Sequence, residues 1–316
     1  MSIPNSKINI LITGGAGFIP SSLADRLLKN PDYFVVLVDN FLTGKKENIP
    51  QHENCKFIHG DVNKFDDIAP IFSLYNFEYV FHYAAVVGVK RTLENPIMVL
   101  DDIYGIRNIL DLSKRTGVKR VFYASSSEVY GEPVHLPQHE TITPLNSRLP
   151  YAVVKNVGES YFRSYHQEYG LDYTIFRFFN TYGPKQSTDF VMSRFIQLAL
   201  KNQDIPVYGD GSQTRTFCFI EDHLDACMKA MEADLIVNDV ANIGNGKIVT
   251  IRELAETIIR LTGSHSKITY LPPLEEGDMT RRQPDIAKMN QLLGRPFTEL
   301  EDGIRNILDH LKKSVN

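Results

Sequence analysis

Tryptophan is absent and cysteine nearly so: the 316 residues hold three cysteines, at positions 55, 218 and 227. An odd number with no Cys-x-x-Cys spacing implies neither a disulfide framework nor a zinc site, and it fits a reducing cytoplasm. No basic tract is present and the formal charge is −4, which argues against nucleic acid or an anionic membrane as the main partner. No stretch approaches the ~18 apolar residues of a membrane span. The N-terminal apolar run is too short for the core of a signal peptide and belongs to a first strand. Internal repeats, low-complexity tracts and long flexible linkers are also missing. What remains is a globular chain, 43% hydrophobic, long enough to bury a substantial core in one large or two modest domains.

Against that background, the opening segment is the first positive signal. Ile8-Asn9-Ile10-Leu11-Ile12 reads as a short buried strand, followed at once by Thr13-Gly14-Gly15-Ala16-Gly17-Phe18-Ile19-Pro20 and an amphipathic stretch from Ser21 to Lys29. Glycines let the backbone approach a pyrophosphate, and the start of a helix offers it N–H groups and a positive dipole end. A second apolar run, Phe34-Val35-Val36-Leu37-Val38, ends in Asp39. A carboxylate there accepts hydrogen bonds from the adenosine ribose and repels a 2′-phosphate, so NAD is expected rather than NADP.

Tyr151 and Lys155 stand four residues apart in Leu149-Pro150-Tyr151-Ala152-Val153-Val154-Lys155. On a helix these positions share one face, so the ammonium lies near the phenol and favours its ionised form. A free tyrosine, with a pKa of about 10, is a poor base at neutral pH. A neighbouring cation brings it towards the working range, and the pair implies hydride chemistry. No metal is required for that chemistry, and none is expected. His82, at the end of an apolar run, reads as a packed core residue, as do Tyr270 and Met279.

Short apolar runs then alternate with helical periods. Tyr79 to His82, Val121 to Ala124 and Tyr173 to Phe176 read as strands, and Val99 to Thr116 and Tyr151 to Tyr169 as helices. Gly117 and Gly170 stand where helix C-caps belong, and Pro150 just before a helix. The alternation implies an α/β fold, a doubly wound parallel sheet of Rossmann type. Residues 1–180 form the expected NAD-binding domain, with about 217–242 added to it, and 181–316 mainly a smaller C-terminal substrate-binding lobe. In that last part the turn signals are Pro184, Pro206, Gly209, Gly211 and Pro272-Pro273.

The ordered motifs resemble an extended short-chain dehydrogenase/reductase of the nucleotide-sugar epimerase/dehydratase group. They are the glycine loop, Gly60-Asp61-Val62, His82-Tyr83-Ala84-Ala85, Asn95-Pro96, Ser125-Ser126-Ser127-Glu128-Val129-Tyr130-Gly131, the Tyr151/Lys155 pair, Phe179-Asn180-Thr181-Tyr182-Gly183-Pro184, Tyr208-Gly209-Asp210-Gly211-Ser212-Gln213-Thr214-Arg215 and Arg282-Gln283-Pro284-Asp285-Ile286. The resemblance implies that Gly14, Gly17, Phe18, Ile19, Asp39, Asn40, Asp61, Val62 and Ala84 bind NAD together with Tyr151 and Lys155. It implies a catalytic Ser126, Tyr151 and Lys155, and a nucleotide-diphosphate sugar, UDP-, GDP- or dTDP-linked, held by Ser127, Asn180, Tyr208, Arg215 and Arg282. Guanidinium forks suit a diphosphate because they bind its oxygens in pairs. A cytoplasmic homodimer, paired through the helices beginning near Val99 and Tyr151 and supplying polysaccharide precursors, is also implied.

Pro20 departs from the family pattern, which has a glycine there. In a first helical turn a proline is tolerated, because its missing N–H would have no intrahelical partner. The resemblance further implies oxidation of the sugar at C4 to a 4-keto sugar. Glu128 then favours chemistry at C5 or C6, either 4,6-dehydration or decarboxylation. The serine motif reads like a decarboxylase; the residues around Tyr151 read like an epimerase or dehydratase. Ser127 is a weaker acid than the aspartate of glucose-type dehydratases. Simple 4-epimerisation is the alternative, release of the 4-keto sugar by a dehydrogenase a further one, and a catalytically silent NAD-binding sensor or scaffold the reading outside enzymology.

Overall fold

The computed structural model describes residues 7–272 and 281–315; Pro273 and Met279 lie outside them. Two compact units emerge. The first comprises Met1–Val129, Ser147–Arg177 and Asp234–Ala241, the second Tyr130–Asn146, Phe178–Ala233 and Asn242–Asn316.

The first unit alternates strand and helix: β1 (Ile8–Thr13), α1 (Phe18–Leu27), β2 (Tyr33–Asp39), β3 (Cys55–His59), α2 (Phe65–Leu74), β4 (Phe77–His82), α3 (Val89–Glu94), α4 (Pro96–Leu100), α5 (Asp102–Thr116), β5 (Arg120–Ser126), α6 (Pro150–Tyr169) and β6 (Asp172–Phe178). The strand Asp239–Ile243 returns late in the chain to complete a seven-stranded sheet, beside β6 and followed by β5, β4, β1, β2 and β3. The pairs β1–β2, β1–β4, β2–β3 and β4–β5 are parallel. Strand order reverses at β1, so right-handed crossovers carry α1 to one face and α2 and α5 to the other. This is the α/β doubly wound sheet expected from the sequence.

Strands covered on both faces are largely apolar, which is why β1, β2 and β5 carry the unbroken apolar stretches 10–12, 34–38 and 121–124 rather than alternating ones. On one face Leu11, Val36, Val80 and Val121 meet Ile71 and Phe72 of α2, Ile106, Ile109 and Leu110 of α5, and Val154 and Phe162 of α6. Each such side chain contributes roughly 1.5–3 kcal/mol by leaving water. Gly117 and Gly170 end α5 and α6 in the left-handed conformation, at φ 74° and 70°, where a residue with a Cβ would be strained. The helix expected from Val99 to Thr116 is two helices, α4 and α5. An i→i+3 bond from Tyr104 N–H to the Asp101 carbonyl interrupts the α pattern between them.

In the second unit the strands are short. Ile205–Tyr208 pairs in parallel with Ile268–Leu271, and Thr214–Thr216 antiparallel with Ile248–Thr250. Thr250 and Glu253 form a reciprocal capping box that starts the helix Ile251–Thr262. Tyr270 is exposed and faces the Arg252 guanidinium, 5.7 Å from its ring centre. It is not a core packing residue, because its strand lies at the edge of a two-stranded sheet.

Candidate active site

The register of the large sheet aligns the carboxyl ends of four strands. Val38 of β2 lies beside Thr13 of β1, Thr13 beside His82 of β4, and His82 beside Tyr123 of β5. In open α/β sheets ligands bind beyond this edge, where strand order reverses. Thr13 ties the edge together, its Oγ1 accepting the N–H groups of Tyr83 and Ala84, each at 3.1 Å. With both lone pairs occupied, the hydroxyl donates its proton to His82 Nδ1, 2.9 Å away. Burial, with Lys155 nearby, pushes the His82 imidazole down to about 3, so it stays neutral. The core role expected of His82 holds.

The glycine loop fits a dinucleotide phosphate. Gly14 has φ +72°, and a Cβ there would meet Ala84 N and Cα at 3.0 Å, so Gly14 and Ala84 lie backbone to backbone. Gly17 N–H closes the turn on the Gly14 carbonyl at 2.8 Å. Helix α1 starts with Phe18 and Ile19, and Pro20 is its third residue, buried. The first intrahelical bond runs from Ser21 N–H to the Gly17 carbonyl, so Pro20 interrupts no bond. The N–H groups of Phe18 and Ile19, having no helical acceptor, open the helix towards an anion.

Asp39 ends β2 nearly buried. Its carboxylate accepts Ala16 N–H at 3.0 Å and Phe41 N–H at 2.6 Å. Burial pushes its carboxyl up, while these two N–H groups pull it down. Each oxygen keeps a second acceptor position, as a ribose-binding carboxylate requires. Asn40, next in the chain, instead uses its Oδ1 to accept Leu42 N–H at 2.9 Å. Asp61 holds the loop after β3, with Oδ1 accepting Asn63 N–H at 3.0 Å. Val62 is buried, and its carbonyl accepts Asn108 Nδ2 of α5 at 2.9 Å.

The structure brings Tyr151 and Lys155 together. Both lie on α6, which Pro150 opens, and Lys155 Nζ sits 5.7 Å from the Tyr151 ring centre and 5.1 Å from that of Tyr123. Nζ donates to the Ala124 carbonyl of β5 at 2.7 Å. Burial pushes the Lys155 ammonium down to about 8, with Asp102 acting in the opposite direction. Ser126 ends β5 two residues after that carbonyl, and its Oγ accepts Glu128 N–H at 3.2 Å, leaving the hydroxyl proton as a donor. Ser127 is buried and Glu128 half-buried in the short helix that follows.

The remaining expected residues belong to the second unit. Asn180, at φ 23°, donates through Nδ2 to the Thr216 carbonyl at 3.1 Å, beside Arg215. Arg215 is buried and donates to the Thr214 carbonyl at 2.8 Å. Gln213 Nε2 reaches the Tyr208 carbonyl at 2.9 Å, so Asn180, Tyr208 and Arg215 share one neighbourhood. Arg282 is half-buried on another segment, anchored by Gln138 N–H donating to the Gln283 carbonyl at 2.7 Å.

Three features escaped the sequence reading. Asp102 acts on Lys155, and its only signal was an acidic pair at the start of a helix. Glu159 binds Arg177 through both carboxylate oxygens behind β5. His135 and His139 stand four apart, but outside any helix, so the spacing does not align them. His139, Glu140 and Asp285 do offer ligand atoms within 4.8 Å of one another. His139 Nδ1, however, already accepts Thr141 N–H at 3.2 Å, and Glu140 Oε1 and Asp285 Oδ1 each accept a backbone N–H, of Asn242 and of Ala287, at 2.9 Å. Among the described residues no helix is long and apolar enough to cross a membrane.

Comparison with known proteins agrees with this geometry. The model of the "NAD dependent epimerase/dehydratase family" matches residues 10–244. UDP-glucuronic acid decarboxylase 5 of Arabidopsis thaliana is 36% identical over 310 residues, 95% of this chain and 88% of its own. The UDP-glucose 4-epimerase of Thermotoga maritima, solved with UDP-glucose, superposes with a TM-score of 0.91 at 33% identity, covering 98% of this chain and 100% of that one. The UDP-glucuronic acid 4-epimerase of Bacillus cereus, solved with UDP-glucuronic acid and NAD, gives 0.89 at 29% identity, covering 97% and 100%. The glycine loop, the Asp39 carboxylate and the paired Tyr151 and Lys155 thus stand in a chain that belongs to the NAD-dependent epimerase/dehydratase family of nucleotide-sugar enzymes, with NAD as its cofactor.

Proposed function

We propose that this protein oxidises a nucleotide-linked sugar at C4 to the 4-keto sugar, and that Glu128 then acts at C5 or C6. The observation that carries the reading is the buried Lys155 ammonium, fixed on the Ala124 carbonyl and 5.7 Å from the Tyr151 ring. It favours the phenolate, so Tyr151 takes the C4 hydroxyl proton while Ser126 donates a hydrogen bond to the same oxygen. Bound NAD supplies the hydride acceptor. Gly14, Gly17, Phe18 and Ile19 hold its pyrophosphate, Asp39 with Asn40 its ribose, and Asp61, Val62 and Ala84 flank it. The first unit is the cofactor-binding unit and carries Ser127 for the substrate; Asn180, Tyr208, Arg215 and Arg282 of the second are the residues for the diphosphate and its neighbours.

The new ketone acidifies the C5 proton and stands β to any C6 carboxylate. Glu128, two residues beyond Ser126, is the group to take the C5 proton ahead of water loss, or to steer loss of carbon dioxide. Similarity to UDP-glucuronic acid decarboxylase 5 supports decarboxylation. The two 4-epimerase structures support the second reading, return of hydride to the opposite face at C4. The exposed apolar side chains of α4 to α6 support a homodimer through those helices.

Purified protein with NAD and a panel of UDP-, GDP- and dTDP-sugars, with products weighed, tests this. Loss of water or carbon dioxide is expected, whereas unchanged mass with inverted C4 establishes epimerisation and loss of two hydrogens a simple dehydrogenase. Tyr151→Phe is expected to lose about 100-fold or more of turnover, and Glu128→Gln a similar factor in the C5-dependent product while C4 oxidation continues. Full turnover by Tyr151→Phe sinks the whole reading; full turnover by Glu128→Gln sinks the role of that carboxylate.

A further inference from the structure

Asn242 lies in the strand Asp239–Ile243, is fully buried, and uses both ends of its side chain inside the second unit. Its Nδ2 donates to the Gln138 carbonyl at 2.8 Å and to the Asp285 carbonyl at 3.4 Å. Its Oδ1 accepts the Tyr130 hydroxyl at 2.7 Å, and its backbone N–H donates to Glu140 Oε1 at 2.9 Å. A carbonyl can only accept, so the two carbonyls fix which end of the amide faces them. One side chain thereby joins residues 130–140 to Asp285, which are remote from each other in sequence.

The joined stretches run up to residues assigned above to the diphosphate. The Gln138 carbonyl also accepts Asp285 N–H at 2.8 Å, and Gln138 N–H donates to the Gln283 carbonyl at 2.7 Å. These bonds make a parallel bridge between Gln138 and Pro284, two residues beyond the half-buried Arg282. Beside Asn242, the Ile243 carbonyl accepts Phe179 N–H at 2.9 Å, one residue before Asn180. A Cβ at Gly244 would meet Phe179 Cβ at 2.7 Å and Pro284 Cγ at 3.1 Å, so the backbone there lies directly against both segments. Gln283 Nε2 reaches the Gly246 carbonyl at 3.3 Å. The chain directly after Arg282 is thus fixed at three successive residues, and Asn242 is the side chain that locks the bridge.

Resting on the reading that Arg282 holds the diphosphate, we infer that Asn242 is a positioning residue for the substrate: its amide clamps the Gln138 and Asp285 carbonyls and so sets where the Arg282 guanidinium stands. A guanidinium binds phosphate oxygens in pairs only when its plane is correctly placed. Loosening the segment that carries it weakens the nucleotide without any contact between Asn242 and the ligand. Removing the amide takes a donor from both carbonyls and leaves the buried Tyr130 hydroxyl without its acceptor.

The full chain with NAD bound is titrated by calorimetry with UDP, GDP and dTDP, and the diphosphate that binds most tightly serves as the probe. Arg282→Ala is expected to weaken that probe about 10-fold or more, as loss of charged hydrogen bonds does. Asn242→Ala is expected to weaken it in the same direction while NAD affinity is unchanged. The two substitutions together are expected to bind the probe no more weakly than Arg282→Ala alone, because the clamp has nothing left to position. Losses that add overturn the inference, since a general loosening of the unit weakens the probe in either background. Undiminished binding by Asn242→Ala, or a matching loss of NAD affinity, overturns it too, with the role of Arg282 left standing. Should Arg282→Ala bind the probe as well as the parent, or none of these diphosphates bind, the reading of Arg282 fails and the inference falls with it. If Asn242→Ala does not fold, Tyr130→Phe, which removes only the hydroxyl held by Asn242 Oδ1, carries the same cycle with a smaller loss that again vanishes in the Arg282→Ala background.

Discussion

Glu159 and Arg177 are fully buried, and the guanidinium meets the carboxylate twice, Nε at 2.8 Å and an Nη at 2.7 Å. Ser125 Oγ adds a third bond to Glu159 at 2.7 Å, so the pair braces β5 directly before Ser126. Removing one partner of such a pair leaves an uncompensated buried charge. Glu159→Ala is expected to cost about 3–5 kcal/mol, read as a lower urea midpoint, and a loss below 1 kcal/mol refutes the bracing role. Sequence spacing revealed Tyr151 and Lys155, since four residues on a helix is a local distance. Asp102 and Glu159 were not legible, because their partners are set by how helices dock on the sheet and a lone carboxylate in a sequence usually means solvent.

Among the elements, β1, the glycine turn and β2 were legible almost to the residue, because apolar runs bounded by glycine leave few alternatives, while α1 begins at Phe18, three residues ahead of the expected stretch from Ser21. The caps at Gly117 and Gly170 were read for the same reason. Strand β3 and helix α2 were missed. The burial of β3 is only partial, and α2 carries Pro70 inside it, a residue that ordinarily argues against a helix. The short strands of the second unit carry too few residues for any periodicity to register. Helices α4, α5 and α6 each leave apolar side chains in solvent: Ile97 at 69% exposed, Tyr104 at 59% and Val153 at 37%. For the proposed homodimer these are contact residues. Light scattering at micromolar concentration is expected to give twice the chain mass for the parent, and Ile97→Lys with Val153→Glu to shift it towards the monomer. A parent that elutes as a monomer rejects the homodimer.

Each unit buries one neutral histidine, His82 in the first and His223 in the second, both pushed down to about 3 by burial. Above about pH 6.5 neither form of the protein protonates them, and no difference arises. Below that the unfolded chain binds both protons and the native one does not, so stability falls as pH drops towards 3. At pH 5 each histidine is expected to remove about 2 kcal/mol relative to pH 7. Urea titrations at the two pH values measure this, and His223→Asn, which cannot titrate, is expected to flatten the slope by roughly half. Equal midpoints at both pH values contradict it. The overall sheet class was readable from alternating runs, and the sequence reading added about 217–242 to the first domain; of that stretch the first unit takes in Asp234–Ala241. Local patterns do not fix the bounds of a late segment that returns to an earlier sheet.

That return has a consequence for biogenesis. The sheet that carries the glycine loop ends in a strand, Asp239–Ile243, that follows about half of the second unit in sequence. A ribosome delivering the chain from its N-terminus has produced the glycine loop, Tyr151 and Lys155 long before the outermost seam of their own sheet exists. Until then β6 presents an open row of N–H and C=O groups, so the nascent protein carries the glycine loop and the Tyr151 and Lys155 pair on an unfinished scaffold whose last rail arrives only after about half of the other unit has been made.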